Sequence, residues 1–162
     1  MAAFGPPKAS PTELLERFSI IGGTPQYQRW AGRRSLTGVI EDVILSPDAP
    51  LYDDPEHLIR EEEGIREPGP YFGIMEAIAR GYTDPTAIAG KLQISSQLAT
   101  KFLRLAELGY VMRVEPLEPS HGGRARAYWK VSDPYFHFWF GHVFPNRSRL
   151  SRGRIKEVGA EI

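Results

Sequence analysis

The sequence has no cysteine, no net charge and no long apolar run. Without cysteine, the chain can form neither a disulfide nor a thiolate metal site. No apolar run approaches the roughly 20 residues that span a bilayer, and the first residues lack the basic and apolar regions of a secretion signal. These absences predict a protein with no membrane segment, and the cytoplasm is the expected compartment.

The net charge of zero conceals a strong segregation of charge along the chain. Residues 53–67 are mainly acidic, whereas residues 101–130 and the tail from 147 to 156 are mainly basic. A dedicated DNA-binding protein usually carries a basic surplus, so the balance argues against the simplest nucleic-acid interpretation. A segregated charge can nevertheless produce one basic face on a neutral protein.

Residues 70–132 have the pattern of a winged helix-turn-helix. Three segments have the apolar spacing of helices, at 71–80, 85–92 and 97–108. Two segments with the alternation typical of strands follow them, at 110–115 and 124–131. Asp84 followed by Pro85 is typical of a helix start, and Gly81 and Gly109 are typical of helix ends. Three helices followed by a hairpin is the plan that sets a helix in a DNA major groove.

The remaining segments predict a mainly α protein with one small β-hairpin. Residues 1–67 contain four helical patterns, at 11–21, 26–31, 36–45 and 51–67, and predict a small N-terminal bundle. In the first of them, Leu14, Leu15, Phe18 and Ile21 form one apolar stripe with helical spacing. Residues 133–162 predict an aromatic helix with a basic tail, as a third region.

Several phrases of the sequence carry a family resemblance. They are GGTPQY at 22–27, PYFGIMEAIARG at 70–81, DPYFHFWF at 133–140 and PNRS at 145–148. Together they resemble the C-terminal half of the archaeal-type ATPases of the AAA+/STAND group, over roughly residues 11–155 and in the expected order. The resemblance implies a helical lid with a Gly-x-Pro turn, a winged helix, and the start of a C-terminal domain of uncharacterised function.

The sequence departs from that family where ATP chemistry is concerned. It contains no G-x-x-x-x-G-K-[ST] loop to cradle phosphates and no strand ending in paired acids to hold magnesium. We therefore expect no enzymatic activity and no cofactor for this chain alone. The resemblance places Gly23 and Pro25 of the lid turn against a nucleotide base; the alternative is a helix–helix turn that Gly and Pro specify unaided.

The third helix and the wing supply the candidate DNA contacts. The expected outward residues of the helix are Ser96, Gln97, Thr100, Lys101 and Arg104, of which Gln97 and Thr100 could reach base edges. Arg124 and Arg126 of the wing are candidates for phosphate or minor-groove contact. The alternatives are a solvated helix face and ordinary charge at a strand edge.

The segment from 135 to 144 is apolar nearly all round. A helix of this kind is buried on several sides, so Phe136, Trp139 and Phe140 are expected to form an interface with the winged helix or with a second copy of the chain. His137 and His142 are five residues apart, which is not a metal-ligand spacing on an α-helix.

Two hypotheses about function follow. The first is a non-enzymatic DNA-binding or regulatory module derived from an archaeal-type ATPase, with duplex DNA as its partner. The second is a lid or protein-interaction module that packs against an ATPase core, in the same chain or in another, and relays its nucleotide state without contacting DNA. A homodimer is compatible with both hypotheses.

Overall fold

The computed structural model describes Pro6 and residues 9–93, 98–115 and 127–162. The described chain is mainly helical and contains a two-stranded antiparallel hairpin, as predicted. It divides into two compact units. The first unit combines Met1–Arg66 with Pro134–Ile162, and the second is Glu67–Asp133. In the described residues, no helix has the length and apolar character needed to cross a bilayer.

The N-terminal part of the first unit is a series of short helices. They are α1 (Pro11–Ile21), α2 (Pro25–Ala31), α3 (Leu36–Val39), a π-helical segment (Ile40–Leu45) and α4 (Asp54–Glu61). Ser10 caps α1 by accepting the Glu13 N–H at 3.2 Å, while the Glu13 carboxylate accepts the Ser10 N–H at 2.6 Å. This reciprocal capping satisfies two backbone donors that the helix leaves open, so α1 begins where the sequence predicts.

The helix predicted over residues 51–67 is shorter in the structure than in the sequence pattern. α4 ends at Glu61, and Gly64 then adopts a left-handed backbone with φ +89°. The sequence pattern predicts that Leu58, Ile59 and Ile65 face inward; Ile59 and Ile65 are buried, whereas Leu58 is 38% exposed. The prediction was wrong for Leu58 because successive residues lie about 100° apart around a helix, and the neighbouring Ile59 takes the inward position.

The C-terminal part of the first unit continues the same core. It comprises α8 (Pro134–Phe138), a π-helical segment (Trp139–Val143), a 3₁₀ turn (Phe144–Asn146), α9 (Arg147–Leu150) and α10 (Ile155–Gly159). Tyr135 donates its hydroxyl to the Leu51 carbonyl, and its ring meets that of Tyr27 edge-on at 5.0 Å. Residues 133–162 were expected to begin a separate domain, and the structure corrects this because their aromatic helix completes the N-terminal bundle.

Phe136, Trp139 and Phe140 are core residues of this unit. All three are buried, Trp139 and Phe140 completely. The Trp139 ring lies 4.8 Å from that of Phe140, in an edge-on arrangement. The expected interface of these rings with the winged helix or with a second copy stays a prediction.

The second unit contains the predicted three helices and hairpin. Its elements are α5 (Gly69–Ala79), α6 (Pro85–Leu92), α7 (Leu98–Glu107), β1 (Val111–Val114) and β2 (Tyr128–Val131). The Asp84 carboxylate caps α6 by accepting the N–H groups of Thr86 and Ala87 at 2.8 and 3.2 Å. β1 pairs antiparallel to β2 with Val111 opposite Val131, and both of these side chains are buried. The Phe102 and Trp129 rings, 5.0 Å apart, join α7 to the hairpin.

Candidate functional site: an exposed apolar face beside the Gly22–Pro25 turn

α1 turns its apolar stripe outward. Leu14, Leu15 and Phe18 are 41%, 69% and 50% exposed, whereas Arg17 and Ile21 are buried. Three of the four residues of the stripe are therefore exposed. The reason is that Arg17 occupies the inward position, where neighbouring backbone carbonyls accept its hydrogen bonds.

The Gly22–Pro25 turn lies beside this exposed face. Gly22 closes α1 in a left-handed conformation with φ +64°, and Pro25 starts α2. Gly23 lies against the Phe18 ring, so closely that a Cβ there would stand 3.3 Å from Phe18 Cε2. A side chain at position 23 would therefore require the half-exposed Phe18 ring to shift by a few tenths of an ångström.

The helix and the turn enclose a shallow cavity of about 310 Å³. Its lining consists of Leu14, Arg17, Phe18, Gly23, Pro25 and Gln28. The two residues predicted from the lid motif, Gly23 and Pro25, are thus brought together with an exposed aromatic ring. Burial lowers the pKa of the Arg17 guanidinium, yet an arginine stays protonated in proteins. Since the lining contains no carboxylate, this cavity suits an apolar or electron-rich group better than a cation.

α7 of the second unit presents a mixed surface. Thr100 is exposed, as expected for a base-reading residue. Lys101 is half-buried, with its Nζ 5.5 Å from the centre of the Tyr71 ring, and Arg104 pairs with Glu107 at 3.4 Å. Leu103, which the sequence interpretation left out, is 61% exposed on the same helix. The candidates Ser96, Gln97, Arg124 and Arg126 lie outside the described residues.

An apolar groove of about 500 Å³ runs beside α7. Its lining residues are Pro85, Thr86, Ala89, Leu98, Ala99, Phe102, Leu103 and Trp129. Residues 99 and 103 are four positions apart and therefore lie on the same side of the helix. This spacing could have indicated a second apolar edge, next to the inward-facing residues 98, 102 and 105. An apolar edge on the helix that would enter a DNA groove favours a protein contact over a phosphate contact.

The structure gives no sign of a metal site within its described residues, where no group of three or more His, Asp or Glu side chains is placed to hold an ion. Burial lowers the pKa of both His137 and His142, and the neighbouring His137 lowers that of His142 further. The two rings influence each other because a π-helical turn lies between them. Its i to i+5 hydrogen bonds bring residues five apart towards one side of the helix.

Comparison with known protein families, curated proteins and solved structures finds no match to this chain.

Proposed function

We propose that this chain is a non-enzymatic regulatory module that docks onto the P-loop core of an archaeal-type ATPase. The observation that carries the proposal is the outward apolar face of α1, formed by Leu14, Leu15 and Phe18, beside the Gly22–Pro25 turn. We call these three side chains and the turn the docking face. Clustered apolar side chains at a protein surface commonly mark an interface.

The energetics favour a modest, reversible contact. Complete burial of one large apolar side chain stabilises a complex by about 1.5–3 kcal/mol. Leu14 and Phe18 are already half covered, so docking gains only roughly half of that for each of them. The entropy lost on association offsets a large part of the gain. These three side chains alone supply less than the roughly 8 kcal/mol of a micromolar complex, so a dissociation constant weaker than micromolar is expected for the separate chains.

The lid turn gives this docking a connection to nucleotide state. Gly23 and Pro25 form one wall of the cavity, next to the Phe18 ring. A nucleotide base held by a P-loop core could contact this wall, whereas the chain alone has no loop to hold the phosphates. The affinity of the module for the core should then differ between nucleotide-bound and empty cores.

The test is binding to the purified P-loop core of an archaeal-type ATPase, prepared without its own lid and winged helix. We expect weak but saturable binding by calorimetry at high protein concentration, and a Phe18→Asp variant should bind at least tenfold more weakly. Leu58→Asp is the control, because Leu58, like Phe18, is an exposed large apolar residue of the first unit but lies outside the cavity lining. No binding by the wild type, or equal losses in both variants, would contradict the proposal.

DNA binding by the second unit is a second candidate function. It is favoured by the exposed Thr100 on α7, on a helix that also carries Lys101 and Arg104, in a three-helix and hairpin arrangement. It ranks second because Leu103 and Glu107 share the outer part of that helix with these cations. The acidic side chain reduces the electrostatic attraction on which phosphate binding depends, and the apolar one contributes nothing to it.

A further inference from the structure

A chain of buried polar contacts runs beneath the docking face. Arg17 donates from Nε to the Gln28 side-chain oxygen at 3.3 Å, and Gln28 donates from Nε2 to the Gly22 carbonyl at 2.7 Å. Both side chains are among the buried residues of the first unit, with Arg17 97% buried. We infer that Arg17 and Gln28 are positioning residues that fix the Gly22–Pro25 turn in the geometry the docking face requires.

The same guanidinium also holds the far end of α2. Arg17 donates to the Gly32 carbonyl at 2.7 Å and to the Arg34 carbonyl at 3.1 Å. Gly32 is the residue that ends α2, with φ +56°. One side chain of α1 therefore contacts the chain after α2 directly and the turn before α2 through Gln28, which fixes α2 and the turn relative to α1.

The chemistry of these contacts explains the choice of residues. Burying a cation among neutral acceptors is costly, and a hydrophobic residue could fill the same space. Only the planar fork of arginine presents several donors in fixed directions, which lysine cannot do. Gln28 must both accept from Arg17 and donate to Gly22, and among side chains of this size an amide does both. Stability alone does not require this pair, whereas a defined turn geometry does.

This inference rests on the proposed function, since it assigns these two residues to the docking face. The deciding variant is Gln28→Glu. At pH 8 a carboxylate at this position still accepts from Arg17, and adds an opposite charge beside it, but cannot donate to the Gly22 carbonyl. A purely structural role predicts a less stable protein, because the buried Gly22 carbonyl loses its donor, but an unchanged turn and an unchanged affinity in the molecules that remain folded. A positioning role predicts a displaced turn in a folded protein.

We expect the Gln28→Glu chain to unfold within a few degrees of the wild type. Its Gly22 and Gly23 amide signals should shift in a ¹⁵N NMR spectrum, and the Gly22 amide, which bonds to the Phe18 carbonyl at 2.8 Å in the wild type, should exchange at least tenfold faster. Affinity for the P-loop core should fall about tenfold. Unmoved turn signals together with wild-type affinity would overturn the inference.

Two further measurements separate the possible failures. If the wild type does not bind the core, the docking proposal fails, while the amide signals of the Gln28→Glu chain still decide whether the pair positions the turn. Arg17→Lys tests the fork directly, since lysine keeps the charge without the fixed directions. Its turn signals should shift in the same sense as those of Gln28→Glu, and unchanged signals in a folded Arg17→Lys protein would contradict the role of Arg17.

Discussion

Trp139 donates its indole N–H to the backbone carbonyl of Tyr52 at 2.7 Å, which joins two residues 87 positions apart in the sequence. The winged helix lies between these positions in the chain, so it is inserted into a helical unit whose two halves share one core. Arg147 strengthens the same junction, since it pairs with both Asp53 and Glu56 and lies 5.6 Å from the centre of the Tyr52 ring. The C-terminal segment is thus an integral part of the first unit.

The first prediction concerns this junction. Trp139→Phe keeps an aromatic ring in the core but leaves the buried Tyr52 carbonyl without its donor, at an expected cost of about 1–3 kcal/mol in the free energy of unfolding. Urea denaturation followed by circular dichroism measures the loss. Trp30→Phe is the control, because Trp30 is only half-buried, and it should cost less. A Trp139→Phe protein as stable as the wild type would show that this hydrogen bond does not hold the two halves together.

The sequence predicts those parts of the fold that depend on local chemistry. Ser10, Asp84 and Pro25 act within one helical turn, and each begins a helix where expected. Alternating residues likewise indicate the hairpin, because side chains on a strand point to opposite faces in turn. Local signals of this kind are complete within a short window and need no knowledge of tertiary structure.

The missed features depend on contacts between distant segments. Periodicity shows that α1 has an apolar stripe, but the same pattern serves equally well as a core face or a docking face. The difference lies in Arg17, whose acceptors Gly32 and Arg34 are supplied by a later segment of the chain. Likewise, the aromatic residues of 135–144 predict burial without indicating which segment covers them.

The second prediction tests DNA binding by the winged helix. We expect only weak binding to duplex DNA, micromolar or weaker at physiological salt, because few cations are available for phosphate contact. Fluorescence anisotropy across a salt series measures it, and replacing Arg124 and Arg126 with alanine should reduce the salt slope by about 2 if both contact phosphates. Leu103→Arg adds a cation to the exposed part of α7 and should strengthen binding if that helix enters the groove. If the affinity of the wild type for DNA does not change with salt concentration, binding through phosphate contacts is excluded.

The third prediction concerns nucleotides. The chain alone should neither hydrolyse ATP nor bind it tightly, because no phosphate-cradling loop occurs in the sequence and the Gly23–Pro25 wall could contact only the base. Calorimetry with ATP and magnesium decides this, with a phosphate-release assay alongside. A submicromolar dissociation constant would mean that the chain carries a complete nucleotide site, and the docking proposal would then need a different basis.

The fourth prediction follows from the histidines beside the second π-helical segment. Burial lowers the pKa of His137 and His142 in the folded protein. As the pH falls below about 6.5, the ordinary pKa of histidine, the unfolded chain therefore binds more protons than the folded protein. The free energy of unfolding should therefore decrease between about pH 7 and pH 5. Urea titrations at several pH values measure this, and replacing both histidines with glutamine should flatten the dependence. His57→Gln, an exposed position on α4, keeps both partly buried rings and is the control. An equally steep loss after the double replacement would assign the effect to other groups.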